Sequence, residues 1–175
     1  MINLVDAVNF NADASCLDSA RWLAALNGGV DSELCQWLGL YVRLEKKVVL
    51  GLTGATLADI SVHNPQALEL LHANPDIFQG VIRPFSHDIA LLRSREGFLL
   101  NLQLGTDAVR RSFTNYAEYY LPPEFMLSNE QTALLANSGI AGTFVNAERL
   151  STDLRPRIPD RPYWLRCLGQ TQLCC

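Results

Sequence analysis

The chain is poor in charge and concentrates neither sign. Only 18% of its 175 residues are Asp, Glu, Lys or Arg, and fourteen basic residues face eighteen acids. The basic residues are scattered, so no stripe exists along which a phosphate backbone could run, and nucleic-acid binding is disfavoured. No apolar run approaches the ~18 residues that a membrane-spanning helix needs, so no membrane partner is expected. The first residues, Met1-Ile2-Asn3-Leu4-Val5-Asp6, lack a basic segment and carry an early acid, unlike a secretory leader. Five cysteines occur, yet no Cys-x-x-Cys pair, and the adjacent Cys174-Cys175 suits neither zinc nor a disulfide. A reduced, cytoplasmic protein is expected. Histidine is scarce too: three residues supply fewer nitrogen donors than a zinc centre normally uses. Neither a metal nor another cofactor is therefore expected.

No repeat, low-complexity segment or long polar tract interrupts the chain. With 49% hydrophobic residues it forms a core rather than staying disordered. Leu4, Val5, Val8 and Phe10 make residues 2–10 a first strand, which opens into the polar turn Asn11-Ala12-Asp13-Ala14-Ser15. Leu17, Ala20, Trp22, Leu23 and Leu26 follow at helical spacing, stopped by Asn27-Gly28-Gly29. A second helix starts at Asp31 or Ser32, and residues 48–54 have the profile of a buried parallel strand. Asn64 as N-cap with Pro65 at the first helical position announces another helix. Residues 78–84 read as a third strand, 89–92 as a helix start and 98–116 as a helix. Tyr119-Tyr120-Leu121 is a short fourth strand. Ser128 with Gln131 forms a capping box for a helix closed by Asn137-Ser138-Gly139. Residues 140–145 and 163–168 read as later strands. This alternation predicts an α/β fold with parallel strands and helices packed over them.

Chemistry in such folds sits at the carboxyl ends of the strands. Asn11 and Asp13 follow the first strand, Thr53 and Thr56 the second, and Arg83, His87 and Asp88 the third. Asp, His and Glu side chains converging there are what acid–base or nucleophilic chemistry requires. Each also has a plain structural reading. Asp13 and Asp88 are placed to cap helices, His87 to bond a backbone carbonyl, and Arg83 to pair with Asp88. His63 and His72 are expected at the surface.

The fourth strand ends in Leu121-Pro122-Pro123-Glu124-Phe125. The two prolines fix φ twice and remove two donors, so the loop loses little entropy on ordering. Glu124 is then either a carboxylate presented on a stiff loop or a helix-entry acid favouring the positive end of the following helix.

The order of these motifs resembles the family 57 glycoside hydrolases, which belong with the polysaccharide-deacetylase-like (β/α)7 barrels. The resemblance runs from residue 48 to 145 through Leu50-Gly51-Leu52-Thr53-Gly54, Arg83-Pro84-Phe85-Ser86-His87-Asp88, Pro122-Pro123-Glu124-Phe125 and Asn137-Ser138-Gly139. It implies an incomplete (β/α)7-type barrel, with residues 1–175 one α/β domain forming the N-terminal part of a larger barrel. It further implies retaining glycoside hydrolysis or transfer on a carbohydrate substrate, with Glu124 as nucleophile and His87 in the pocket. Asp13, Asn11, Arg83 and Asp88 would line that pocket. Such enzymes use a second carboxylate about 5–5.5 Å from the nucleophile, and the family's Asp lies on a late strand that this chain is expected to lack. Two motifs depart from the pattern: Asn9-Phe10-Asn11-Ala12-Asp13 replaces a His-Gln-Pro-like segment, and Leu121-Pro122-Pro123 replaces an aromatic before the Glu.

Two alternatives stay open. One is a metal-dependent deacetylase, with Asp13, His87 and Asp88 holding the ion. The other is a non-catalytic member that binds a sugar or a protein. A barrel cut after a strand would expose an apolar edge, so self-association into a homo-oligomer is among the expected states.

Overall fold

The computed structural model describes residues 19–144, 163–167 and 170–174. The expected first strand, Asn11 and Asp13 lie outside the described residues. α1 (Ser19–Leu26) stops where Gly28 and Gly29 take φ of 109° and 57°, backbone that only glycine adopts without strain. α2 (Glu33–Arg43) starts one residue after Ser32, whose hydroxyl accepts from Cys35 N at 3.1 Å. β1 (Val48–Leu50) leads through Gly51 and Leu52 to Thr53, which caps a helix the spacing did not announce, α3 (Gly54–His63). Gly54, Thr56, Leu57 and Ile60 are all buried. A polar Thr56 on the buried face and an exposed Ala58 and Val62 on the other erase the apolar–polar period by which helices are read.

α4 (Pro65–Ala73) begins as expected, with Asn64 accepting from Ala67 N. β2 (Phe78–Ile82) follows. The helix expected from Ile89 is a single 3-10 turn, Ala90–Leu92, because Ser94 interrupts it and starts afresh. The Ser94 hydroxyl accepts from Gly97 N at 3.1 Å at the head of α5 (Arg95–Ser112). α5 thus begins and ends earlier than residues 98–116, and Tyr116 already belongs to β3 (Tyr116–Tyr120). α6 (Asn129–Asn137), β4 (Gly142–Thr143), β5 (Tyr163–Cys167) and β6 (Gln170–Cys174) complete the order.

The described residues form two compact units, one up to His87 with Asn101–Ala117, the other Asp88–Leu100 with the described residues from Glu118 on. In the first, β1 and β2 are parallel with Val48 opposite Phe78 and Leu50 opposite Gly80. The order is β1-β2-β3, and Gly80 N donates to Asn115 O, just ahead of β3, at 2.9 Å. Leu26, Leu34, Leu38, Leu50, Leu57, Ile60, Leu71, Phe78, Val109 and Phe113 form one continuous core. Each such side chain contributes about 1.5–3 kcal/mol by leaving water.

In the second unit β3 and β4 are parallel, as are β4 and β6, in the order β3-β4-β6-β5. β5 runs antiparallel to β6, a departure from the all-parallel expectation. Only two residues separate β5 from β6, and a link that short closes a hairpin but no crossover. The expected capping box of α6 is present in both directions, Gln131 N to Ser128 Oγ and Ser128 N to Gln131 Oε1. Phe98 and Tyr120 meet edge to face at 6.2 Å between ring centroids.

Candidate functional site

The first cluster is the segment leaving β2, Arg83 to His87. Two elements clamp its backbone. At the head of α3, Gly54 N and Ala55 N donate to the carbonyls of Pro84 and Phe85 at 3.2 and 2.8 Å. From α5, Asn101 O accepts from Phe85 N at 3.0 Å, and its side-chain Oδ1 accepts from Ser86 N at 2.9 Å. Gly105, one turn further along α5, lets helix and loop touch backbone to backbone: a Cβ there would lie 2.0 Å from Arg83 O. Thr53 and Thr56, candidates at the end of β1, are buried with their hydroxyls 2.8 Å apart and serve as the cap of α3.

Arg83 is 3% exposed. Its Nη1 donates to Gly51 O at 3.3 Å, and its Nη2 stands 2.9 Å from His87 Nδ1. One guanidinium therefore joins the exits of β1 and β2, and His87, half-buried, is held by a charged donor. His63 and His72 are exposed, as expected, with His72 Nε2 3.1 Å from Arg111 O.

In the second unit Asp88 pairs with Arg93 across the 3-10 turn, and the turn's N-cap is Ile89. Glu124 is exposed after the buried run Leu121-Pro122-Pro123. It takes φ 51°, ψ 17°, and Phe125 beside it takes φ 55°. Two consecutive left-handed residues that are not glycine cost about 1–3 kcal/mol each. The turn is closed by Phe125 N to Pro122 O and Met126 N to Pro123 O, at 3.1 and 3.0 Å. The helix-entry reading does not fit it. α6 starts at Asn129, its first-turn acid is Glu130, and the helix field fades beyond the first turn.

Asn101 and Gly105 were missed in the sequence. Their signal was a polar residue and a glycine four apart in a long helix, on one face. Among the described residues no three of His, Cys, Asp or Glu gather into a set that could hold a metal ion. Nor is any described helix long and apolar enough to cross a membrane.

No protein-family model and no curated protein sequence matches the chain. Solved structures do. A 4-alpha-glucanotransferase from Thermococcus litoralis superposes with TM-score 0.70 at 19% identity, over 89% of this chain and 24% of that one. A protein assigned as a polysaccharide deacetylase from Mycobacterium smegmatis does so with TM-score 0.61 at 13% identity, over 89% and 46%. The fold is that of the glucanotransferase and deacetylase barrels. A carbohydrate esterase family 4 pseudoenzyme from Bacillus anthracis shares it more loosely, with TM-score 0.50 at 14% identity over 71% and 44%. The resemblance read from the motifs is thus matched by fold: parallel strands alternating with helices, in the manner of an incomplete (β/α)7-type barrel. The chain spans about a quarter of the glucanotransferase and less than half of the deacetylase.

Proposed function

We propose that this chain acts on carbohydrate by retaining glycoside hydrolysis or transfer, with Glu124 as the nucleophile. The observation that carries the reading is the paired left-handed backbone at Glu124 and Phe125, at the exit of β3. Strain of this kind persists where neighbouring structure over-determines it, and it gathers at active sites. Here the prolines and the buried Leu121 hold the loop, so the carboxylate is pre-organised before substrate arrives. A fixed carboxylate attacks the anomeric carbon with its orientation already set. The glycosyl-enzyme is then released to water or to a second sugar, the proton passing through a second carboxylate about 5–5.5 Å away, a role for which no residue of this chain is assigned. His87, Arg83, Asp88, Asn11 and Asp13 are assigned to the sugar-binding side. We also assign the protein to the cytoplasm, with a carbohydrate as its partner and self-association through a strand edge.

A test that bypasses the proton donor is trapping with 5-fluoro-α-glucosyl fluoride, whose fluoride leaves without acid catalysis. Peptide mapping by mass spectrometry should find one adduct, on Glu124, absent in Glu124→Gln. An unlabelled protein, or an adduct on another acid, overturns the assignment. An unlabelled chain that still binds maltooligosaccharide points to the non-catalytic binding reading.

A further inference from the structure

We infer that Arg83 locks His87 in the tautomer protonated on Nε2, making it a hydrogen-bond donor to an oxygen and barring it from metal ligation. An arginine side chain has donors and no acceptor. With Arg83 Nη2 at 2.9 Å from His87 Nδ1, that nitrogen must supply the lone pair. A neutral imidazole has one protonated and one bare nitrogen, so its proton sits on Nε2. A metal bound by His87 would need a bare nitrogen, and the only one is already facing a guanidinium.

The lock is rigid because Arg83 has little freedom. It is 3% exposed, its Nη1 is tied to Gly51 O, and its own carbonyl is pressed by Gly105. Swapping the tautomer would set Nδ1–H against Nη2–H. Metal-binding histidines show the reverse pattern, with the second nitrogen donating to a carboxylate or a carbonyl. His87 is thus built to grip an electron-rich oxygen rather than an ion. That the oxygen belongs to a sugar rests on the proposed function, whereas the tautomer and the exclusion of metal do not.

The experiment is long-range proton–nitrogen correlation NMR on the chain labelled with 15N-histidine, near pH 8, about 1.5 units above the ordinary imidazole value. The His87 signal is assigned by its loss in His87→Gln. The wild-type ring should show the pattern protonated on Nε2, and zinc chloride should leave its shifts unmoved. Arg83→Met should release a mixture of tautomers and let zinc shift the His87 resonances. A wild-type ring protonated on Nδ1, or one shifted by zinc, would falsify the inference. The wild-type spectra decide the matter even where Arg83→Met does not fold. Trapping by the fluorosugar supplies the substrate arm. His87→Ala should lose tenfold or more in labelling rate, and His87→Gln, whose amide donates near the position of Nε2, should recover part of that loss. An unlabelled Glu124 beside an Nε2-protonated His87 removes the glycosidase reading alone.

Discussion

Asn64 Nδ2 donates to Ser32 Oγ at 2.6 Å, so the residue that caps α4 also holds the residue that caps α2. The same amide reaches Leu26 O at 2.9 Å and Gly29 O at 3.2 Å, while Oδ1 accepts from Ala67 N at 3.2 Å and from the Cys35 thiol at 3.5 Å. Asn64 is fully buried. Three helices and a turn meet on one side chain.

Asn64→Leu should therefore lower stability by about 2–4 kcal/mol, since several buried partners lose their bonds together. Asn64→Asp separates the two roles. Asp caps a helix as well as Asn does but has no amide to donate. Urea denaturation should show the Asp variant destabilised as well, and equal stability to wild type would show that capping alone matters.

Gly105→Ala forces a methyl to within 2.0 Å of Arg83 O. Backbone on both sides leaves no flexible end to give way, so the cost should be about 3 kcal/mol. The melting temperature should fall, and His87 resonances should move though the mutation lies on a helix. An unchanged His87 spectrum would show that α5 does not fix that loop.

Replacing Glu124 by glycine relieves one of the two left-handed residues. The variant should gain about 1 kcal/mol in urea denaturation while losing the fluorosugar label. Stability rising as reactivity falls would mark the strain as functional. A destabilised Glu124→Gly would mean that the side chain, not the backbone, holds the loop.

Gln131 closes the α6 capping box and also donates Nε2 to Ala90 O. Gln131→Glu preserves the box and suits a helix N-terminus, yet cannot donate to that carbonyl. A loss of about 1–2 kcal/mol is expected from the unsatisfied group, read from chemical denaturation. Neutrality would leave the box as the only role of the residue.

The alternation of elements was legible because capping residues mark their boundaries: Asn64-Pro65, Ser128 with Gln131, and Gly28-Gly29 all act as their chemistry dictates. What escaped the sequence mixed polar and apolar residues across its two faces or was reset by one small residue. α3 hides its helical period because the polar Thr56 is buried while Val62 is 73% exposed, and Ser94 starts α5 within what reads as one apolar stretch. At the candidate site, the residues of the β2 exit could be named from the sequence and their partners could not. No local pattern announces that Arg83 reaches Gly51 O and His87. Asn11 and Asp13 lie outside the described residues.

The missing side chain at Gly105 has a meaning for how this protein could change. Because the Arg83 carbonyl rests on bare helix backbone, the anchor of the β2 exit owes nothing to the identity of the residues beyond it. Phe85 and Ser86, held through their backbone atoms by α3 and α5, can vary in sequence while the chain keeps its path. One glycine separates the part of the molecule that must be inherited intact from the part that is free to explore.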